Sequence, residues 1–156
     1  KAFGMKVIAI RQNPKLGKDT ADEIHPISDL NNLVQKADFL VLACPLTEET
    51  RSIVDSRLLS KMKKTSYLIN VARGGCVNDQ DLFDSLKKHE ISGAGIDHFN
   101  EDPLSENSHF WDLDNIIITP HSAGETRMYE ENIIDILLEN LSLLSSGNQE
   151  LKNGVI

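Results

Sequence analysis

The sequence predicts an α/β fold, a doubly wound parallel sheet, and three observations carry the prediction. Short apolar runs alternate with helical patterns along the 156 residues. Four of the five strand-length runs are near-continuous rather than alternating, as in Phe39-Leu40-Val41-Leu42-Ala43 and Ile116-Ile117-Ile118. Such runs belong to strands buried on both faces. Strands that alternate with helices pair in parallel through right-handed crossovers, with helices covering the sheet.

The elements follow in order. Lys1-Ala2-Phe3-Gly4-Met5-Lys6 reads as the last turn of a helix ended by glycine, which suggests that sequence is missing upstream. Val7-Ile8-Ala9-Ile10 is a short buried strand. Residues 11–27 hold Pro14, Gly17 and Pro26 among polar neighbours and read as loop. Ser28 is positioned to cap a short helix with Leu30, Leu33, Val34 and Ala37 on its apolar side. The run 39–43 is the second strand, and Cys44-Pro45 ends it, because proline cannot serve a central ladder. Asp55 can cap a helix carrying Leu58, Leu59 and Met62.

Residues 67–70 form the third strand and 78–88 a helix opened by Asn78, with Leu82, Phe83 and Leu86 inward. The fourth strand, 91–96, is thinned by Gly93 and Gly95 and delivers Asp97 at its end. An irregular acidic loop surrounds Pro103, and the fifth strand, 116–118, leads into Thr119-Pro120-His121. From Glu125 to about Ser145 runs the longest helix, striped by Ile134, Leu137, Leu138, Leu141 and Leu144 and followed by Gly147. There is no internal repeat.

Composition narrows the function. Apolar residues make up 40% and the formal charge is -8, which disfavours nucleic acid as a partner, since phosphate binding needs a basic surface. The two cysteines, Cys44 and Cys76, lie far apart without metal-ligand spacing, so neither a disulfide framework nor a metal site is expected. No apolar run reaches membrane-spanning length and no signal peptide precedes Lys1. The expectation is a soluble cytoplasmic protein.

Four strand ends bring chemistry to one sheet edge, where open α/β sheets hold their ligands: Cys44-Pro45, Arg73, Asp97 and His121. Guanidinium grips carboxylate or phosphate through paired hydrogen bonds, and histidine moves protons near neutral pH. Together they suit a site that holds an anionic substrate and transfers a proton. Each residue alone also has a structural reading. Arg73 could be a solvated loop residue, Asp97 a loop cap and His121 a satisfied loop histidine. Cys44 reads more readily as a small buried residue than as a nucleophile, and Asp102 as a solvated charge.

Four ordered motifs tie these residues together. Cys44-Pro45-Leu46-Thr47 with Thr50 resembles a PLTxxT element, and Asn70-Val71-Ala72-Arg73-Gly74-Gly75 resembles NxARG. Gly93-Ala94-Gly95-Ile96-Asp97 through Asp102-Pro103-Leu104 is similar to GaaLDVFexEPL, and Thr119-Pro120-His121-Ser122-Ala123-Gly124 with Thr126 to TPHxgGxT. In order and spacing the chain resembles the nucleotide-binding domain of the D-isomer-specific 2-hydroxyacid dehydrogenases, a Rossmann-type fold, from Gly4 onward.

The resemblance implies roles. Arg73 would bind the carboxylate and keto oxygen of a 2-keto acid, and His121 would be its acid/base. Asp102, the acidic residue before Pro103, would hydrogen-bond His121 and keep it protonated, completing the candidate catalytic set. The cofactor, NAD or NADP, would be lined by Arg11, Cys44, Pro45, Thr50, Val71, Ala72, Arg73, Asp97, His121, Ala123 and Gly124, with Asp97 on the nicotinamide carboxamide. A homodimer would be expected of the full-length protein. A dinucleotide-sensing regulator of the corepressor kind is the rival from another class, and formate oxidation a third reading.

Departures from the family pattern are informative. The chain contains no GxGxxG, which the resemblance would put just before Lys1 together with its strand, and the substrate domain is absent. The isolated chain is therefore expected to be inactive. Asp102 stands where glutamate is usual, and His98 where valine is usual. Arg11 occupies a strand end where NAD-specific members carry an acidic residue. With Lys15 and Lys18 nearby, it predicts that NADP is used at least as well as NAD.

Overall fold

The computed structural model describes residues 1–15, 20–148 and 150–153. The chain divides into two compact units, Lys1–His121 and Ser122–Ile156. In the first, β1 (Ile8–Ile10) pairs in parallel with β2 (Glu23–His25). A separate sheet contains β3 (Phe39–Leu42), β4 (Tyr67–Asn70), β5 (Gly93–Ile96) and β6 (Ile116–Ile118), in that order and all parallel. The alternation read from the sequence is present, as are the parallel strands.

Local chemistry explains the helices. Asp55 accepts a hydrogen bond from the Leu58 N–H and opens α2 (Ser56–Leu59). Asn78 accepts from the Asp81 N–H and opens α3 (Asp79–Lys87). Each cap satisfies one of the N–H groups that a helix start leaves unpaired. Leu58, Leu59 and Met62 join Leu82 and Leu86 in one core with Leu42, Leu68, Ala94 and Ile96. Gly4, at φ +72, closes a turn back onto the Lys1 carbonyl, as a helix-ending glycine does.

Several expectations need correction. The segment 11–27 is not all loop: Glu23–His25 forms β2, and its single apolar residue, Ile24, gave no periodic signal. Backbone pairing with β1 holds it instead, helped by ion pairs from Lys1 to Asp22 and Lys6 to Glu23. Ser28 does not cap a helix. It lies inside a 3-10 turn that begins after Pro26 and runs into α1 (Leu30–Leu33). The fourth strand starts at Gly93 rather than residue 91.

Among the described residues of the first unit, one face of this sheet packs into the core and the other is exposed. Strands β3 to β6 are laid down in one direction, so right-handed crossovers between them all fall on the same side. Leu40, Leu42, Leu68, Ala94 and Ile96 meet the core there. On the opposite face Phe39, Val41, Tyr67 and Ile117 stay exposed, with the Phe39 and Tyr67 rings stacked 5.6 Å apart. No hydrogen bonds join β1 to β3 among the described residues. The doubly wound order calls for a further strand between them, and none is found among the described residues.

The second unit is built around α4 (Tyr129–Ser145). The helix begins four residues later than expected, since turns at 123–124 and 127–128 precede it, in which Glu125 N–H reaches the Ser122 carbonyl and Tyr129 N–H the Thr126 carbonyl. Its stripe of Ile134, Leu137, Leu138, Leu141 and Leu144 is present but about half exposed. Gly147, at φ +80, ends it as expected.

Candidate active site

Strand register sets the geometry of the site. Leu42, Asn70, Ile96 and Ile118 are aligned neighbours across the four-stranded sheet. Cys44, Arg73, Asp97 and His121 therefore all lie within three residues of one carboxyl edge. Strands β4 and β6 flank β5, which puts their ends roughly 10 Å apart, the span of a small substrate and its contacts.

The Arg73 loop is shaped by Asn70, a fully buried polar side chain at the end of β4. Its amide donates to the Arg73 carbonyl at 3.1 Å and the His98 carbonyl at 3.4 Å, and its oxygen accepts from the Ala72 N–H at 3.0 Å. Asn70 thus replaces ladder bonds that the turning backbone gives up. Gly74 lets the loop press against the end of β5. A Cβ there would lie 2.0 Å from the Phe99 carbonyl carbon and 2.4 Å from the Asn100 nitrogen, so only glycine fits. Arg73 itself is exposed with extended backbone, and Nη1 donates to the Ala72 carbonyl at 2.8 Å. That bond uses one of five guanidinium donors and fixes the direction of the group.

Beyond β5 and β6 three side chains converge. Asp102 Oδ2 lies 2.9 Å from His121 Nδ1 and 3.5 Å from His98 Nε2. The two imidazole rings meet edge to face, with centroids 4.2 Å apart. His121 holds φ +55, a left-handed conformation uncommon outside glycine. Glu101, the other acid before Pro103, has no described contact with His121. The ligand atoms of His98, Asp102 and His121 lie within 4.8 Å of one another, close enough to invite a cation. Yet a 2.9 Å separation is a hydrogen-bond length, shorter than the about 3.3 Å between two ligands of a tetrahedral metal. The trio reads as a carboxylate hydrogen-bonded to His121, with the His98 imidazole facing it at 3.5 Å.

The remaining predicted residues divide. Asp97 is buried and accepts from the Thr119 hydroxyl, while its N–H bonds the Asn70 carbonyl. Cys44 is half-buried, and burial, then the Cys76 thiol beside it, push its thiol up from the ordinary range. Pro45 and Val71 are exposed at the edge, and Ala72 is buried. The Thr50 hydroxyl donates to the Pro45 carbonyl and accepts from Thr47 N–H, both at 2.7 Å, so it braces its own loop. Arg11 sits just past β1, on the other sheet, with its N–H on the His25 carbonyl. Lys15 is exposed, and Lys18 lies outside the described residues. Ala123 and Gly124 fall in the second unit.

A family profile for the D-isomer-specific 2-hydroxyacid dehydrogenases, NAD-binding domain, matches residues 1–123. The chain belongs to that family. A glyoxylate reductase of Pyrococcus horikoshii is 35% identical over 149 residues, covering 94% of this chain and 43% of the relative. A D-3-phosphoglycerate dehydrogenase of Methanocaldococcus jannaschii is 34% identical over 158 residues, covering 100% of this chain and 29% of the relative. Among solved structures, a family member from Xanthobacter autotrophicus in complex with NADPH and MES superposes with a TM-score of 0.86 at 27% identity. That match covers 98% of this chain and 62% of the other. The chain spans half or less of the length of these curated relatives.

Asn70 and His98 shape this edge without having been among the candidate site residues read from the sequence. Asn70 was legible as a polar residue closing an apolar run, a pattern that signals a buried polar bracket. His98 gave no such signal, because its contacts come from distant Gly74 and from Asp102 and His121.

Proposed function

We propose that the protein carrying this chain is an NAD(P)-dependent D-2-hydroxyacid dehydrogenase that interconverts a 2-keto acid and its D-2-hydroxy acid. The observation that carries the reading is the Asp102–His121 hydrogen bond on the sheet edge that also presents Arg73. Relatives named as glyoxylate reductase and phosphoglycerate dehydrogenase support a small 2-keto or 2-hydroxy acid as substrate.

The residues present fit two ends of a dinucleotide. Asp97, Cys44, Pro45 and the backbone of Val71 and Ala72 suit the nicotinamide end, and Arg11 the adenosine end; the chain holds no glycine-rich turn for the pyrophosphate. Thr50 belongs to the same proposed lining. The cofactor, when bound, supplies or accepts the hydride. This chain's residues then do the rest. The Arg73 guanidinium holds the substrate carboxylate through its free fork and orients the keto oxygen. His121 Nε2 gives that oxygen a proton during reduction and takes it back during oxidation. Asp102 holds Nδ1–H, which fixes the ring's tautomer and leaves Nε2 toward the substrate. Positive charge and a proton then stand where oxyanion character develops.

In this reading the protein is cytoplasmic and homodimeric, with small molecules rather than nucleic acid as partners. The net charge of -8 supports the last point, and no described helix is long and apolar enough to cross a membrane. The test is turnover of glyoxylate, hydroxypyruvate and pyruvate with NADH and NADPH by the full-length protein. Reduction of at least one supports the reading. Tight dinucleotide binding with no turnover of any would favour a dinucleotide-sensing regulator instead.

A further inference from the structure

We infer that His98 is a positioning residue that holds Asp102 against His121 and ties both to the Arg73 loop. The inference rests on the reading of the site proposed above. His98 is the least exposed of the trio, its side chain 17% exposed against 43% for Asp102 and 39% for His121. Its backbone carbonyl is gripped by the buried Asn70 amide, and its Nδ1 accepts from the Gly74 N–H at 3.0 Å. The ring is therefore a fixed wall, whereas Asp102 stands on an exposed loop.

Tautomer decides what the wall does. With Nδ1 accepting from Gly74, the proton of the neutral ring sits on Nε2, which faces Asp102 Oδ2 at 3.5 Å. The Phe99 carbonyl, 2.7 Å from Nδ1, favours the opposite tautomer. That form would turn a bare Nε2 toward a carboxylate and set Nδ1–H against the Gly74 N–H. The Nε2–H form keeps the Gly74 bond and sets a proton opposite the carboxylate, and it is the form this inference takes. Asp102 Oδ2 then has the His121 hydrogen bond and a second imidazole N–H facing it at 3.5 Å, and the His98 ring also packs edge-on against His121. Gly74 adjoins Arg73, so one ring links the group proposed to hold substrate to the pair proposed to move the proton.

His98→Val removes the donor and the ring, and His98→Gln restores an amide donor of similar reach. In the full-length protein, His98→Val should lower reductive kcat roughly 10- to 100-fold, because small misplacements of reacting groups cost that much. The keto-acid KM should rise as well, because the Arg73 loop loses its tie through Gly74, and His98→Gln should recover most of kcat. Nuclear magnetic resonance of ring-labelled histidines gives an activity-independent arm. The His121 Nδ1–H signal should persist in the parent and in His98→Gln and be lost to solvent exchange in His98→Val. A Val variant with the parent's kcat and the parent's His121 signal would overturn the inference. So would a folded Gln variant as impaired as Val. If the parent reduces no keto acid, the proposed function fails, and the resonance arm alone decides the role of His98.

Discussion

Asp102 Oδ2 stands 2.9 Å from His121 Nδ1, across nineteen positions of sequence. The acid comes from the loop after β5 and the imidazole from the turn after β6, so the pair exists only once the two parallel strands are side by side. Replacing the acid should release the ring. Asp102→Asn is expected to lower reductive kcat by at least tenfold with little change in KM, and Asp102→Glu to retain activity. Glu101→Gln, lacking a described contact with His121, should behave as the parent. Steady-state rates on the three variants check this, and an Asp102→Asn enzyme as fast as the parent would remove Asp102 from the mechanism.

The Asn70 bracket predicts a joint loss of stability and substrate binding. Asn70→Ala leaves the Ala72 N–H and the Arg73 carbonyl without their partner, which should cost about 1–3 kcal/mol. Gly74→Ala should cost at least as much, because the new methyl meets backbone that cannot move aside. Urea denaturation measures the first effect. A raised keto-acid KM in any folded variant measures the displacement of Arg73.

Much of this was legible beforehand, for identifiable reasons. Runs such as 67–70 and 116–118 announced strands, and Asp55 and Asn78 announced helix starts, because those signals are local. Arg73, Asp97 and His121 were legible as strand-end residues, which parallel topology must gather at one edge. β2 was not, since a three-residue strand held by backbone pairing leaves no hydrophobic pattern. The open sheet face was hidden too. Val41 and Ile117 look as apolar as any core residue, and only the direction of the crossovers shows that nothing in this sheet's own connections covers them. His98 took meaning only from residues far away in sequence.

Cofactor choice should turn on Arg11. It follows β1 directly, where a guanidinium attracts a 2′-phosphate and a carboxylate would repel it. The full-length enzyme is expected to use NADPH at least as well as NADH, and Arg11→Asp should shift the kcat/KM ratio toward NADH by roughly tenfold or more. An NADH preference in the parent that Arg11→Asp leaves unchanged would count against this role.

His25 predicts a pH effect at the same end of the molecule. Its ring is held by Glu23 at 3.0 Å and Asp29 at 3.1 Å, and the hydrogen bond to Glu23, then that to Asp29, raises its pKa above 6.5. A raised histidine stabilises the folded state fully below its unfolded value and loses that contribution as pH rises through the folded value. The β1–β2 pair should therefore loosen as pH climbs past 6.5. Amide exchange of Ile24 and Arg11 across that range should show it, and His25→Gln should flatten the response. A histidine titration midpoint below 6.5 would contradict the assignment.

In the proposed function Arg73 and His121 act together on a 2-keto acid. Its most direct test is glyoxylate reduction with NADPH by the full-length protein, comparing the parent with Arg73→Gln and His121→Asn. Measurable turnover is expected in the parent, with a kcat loss of roughly 10²- to 10⁴-fold for His121→Asn, the range of general-acid catalysis. Arg73→Gln should lose in KM and kcat together. Folded variants that turn over glyoxylate at the parent's rate would contradict it.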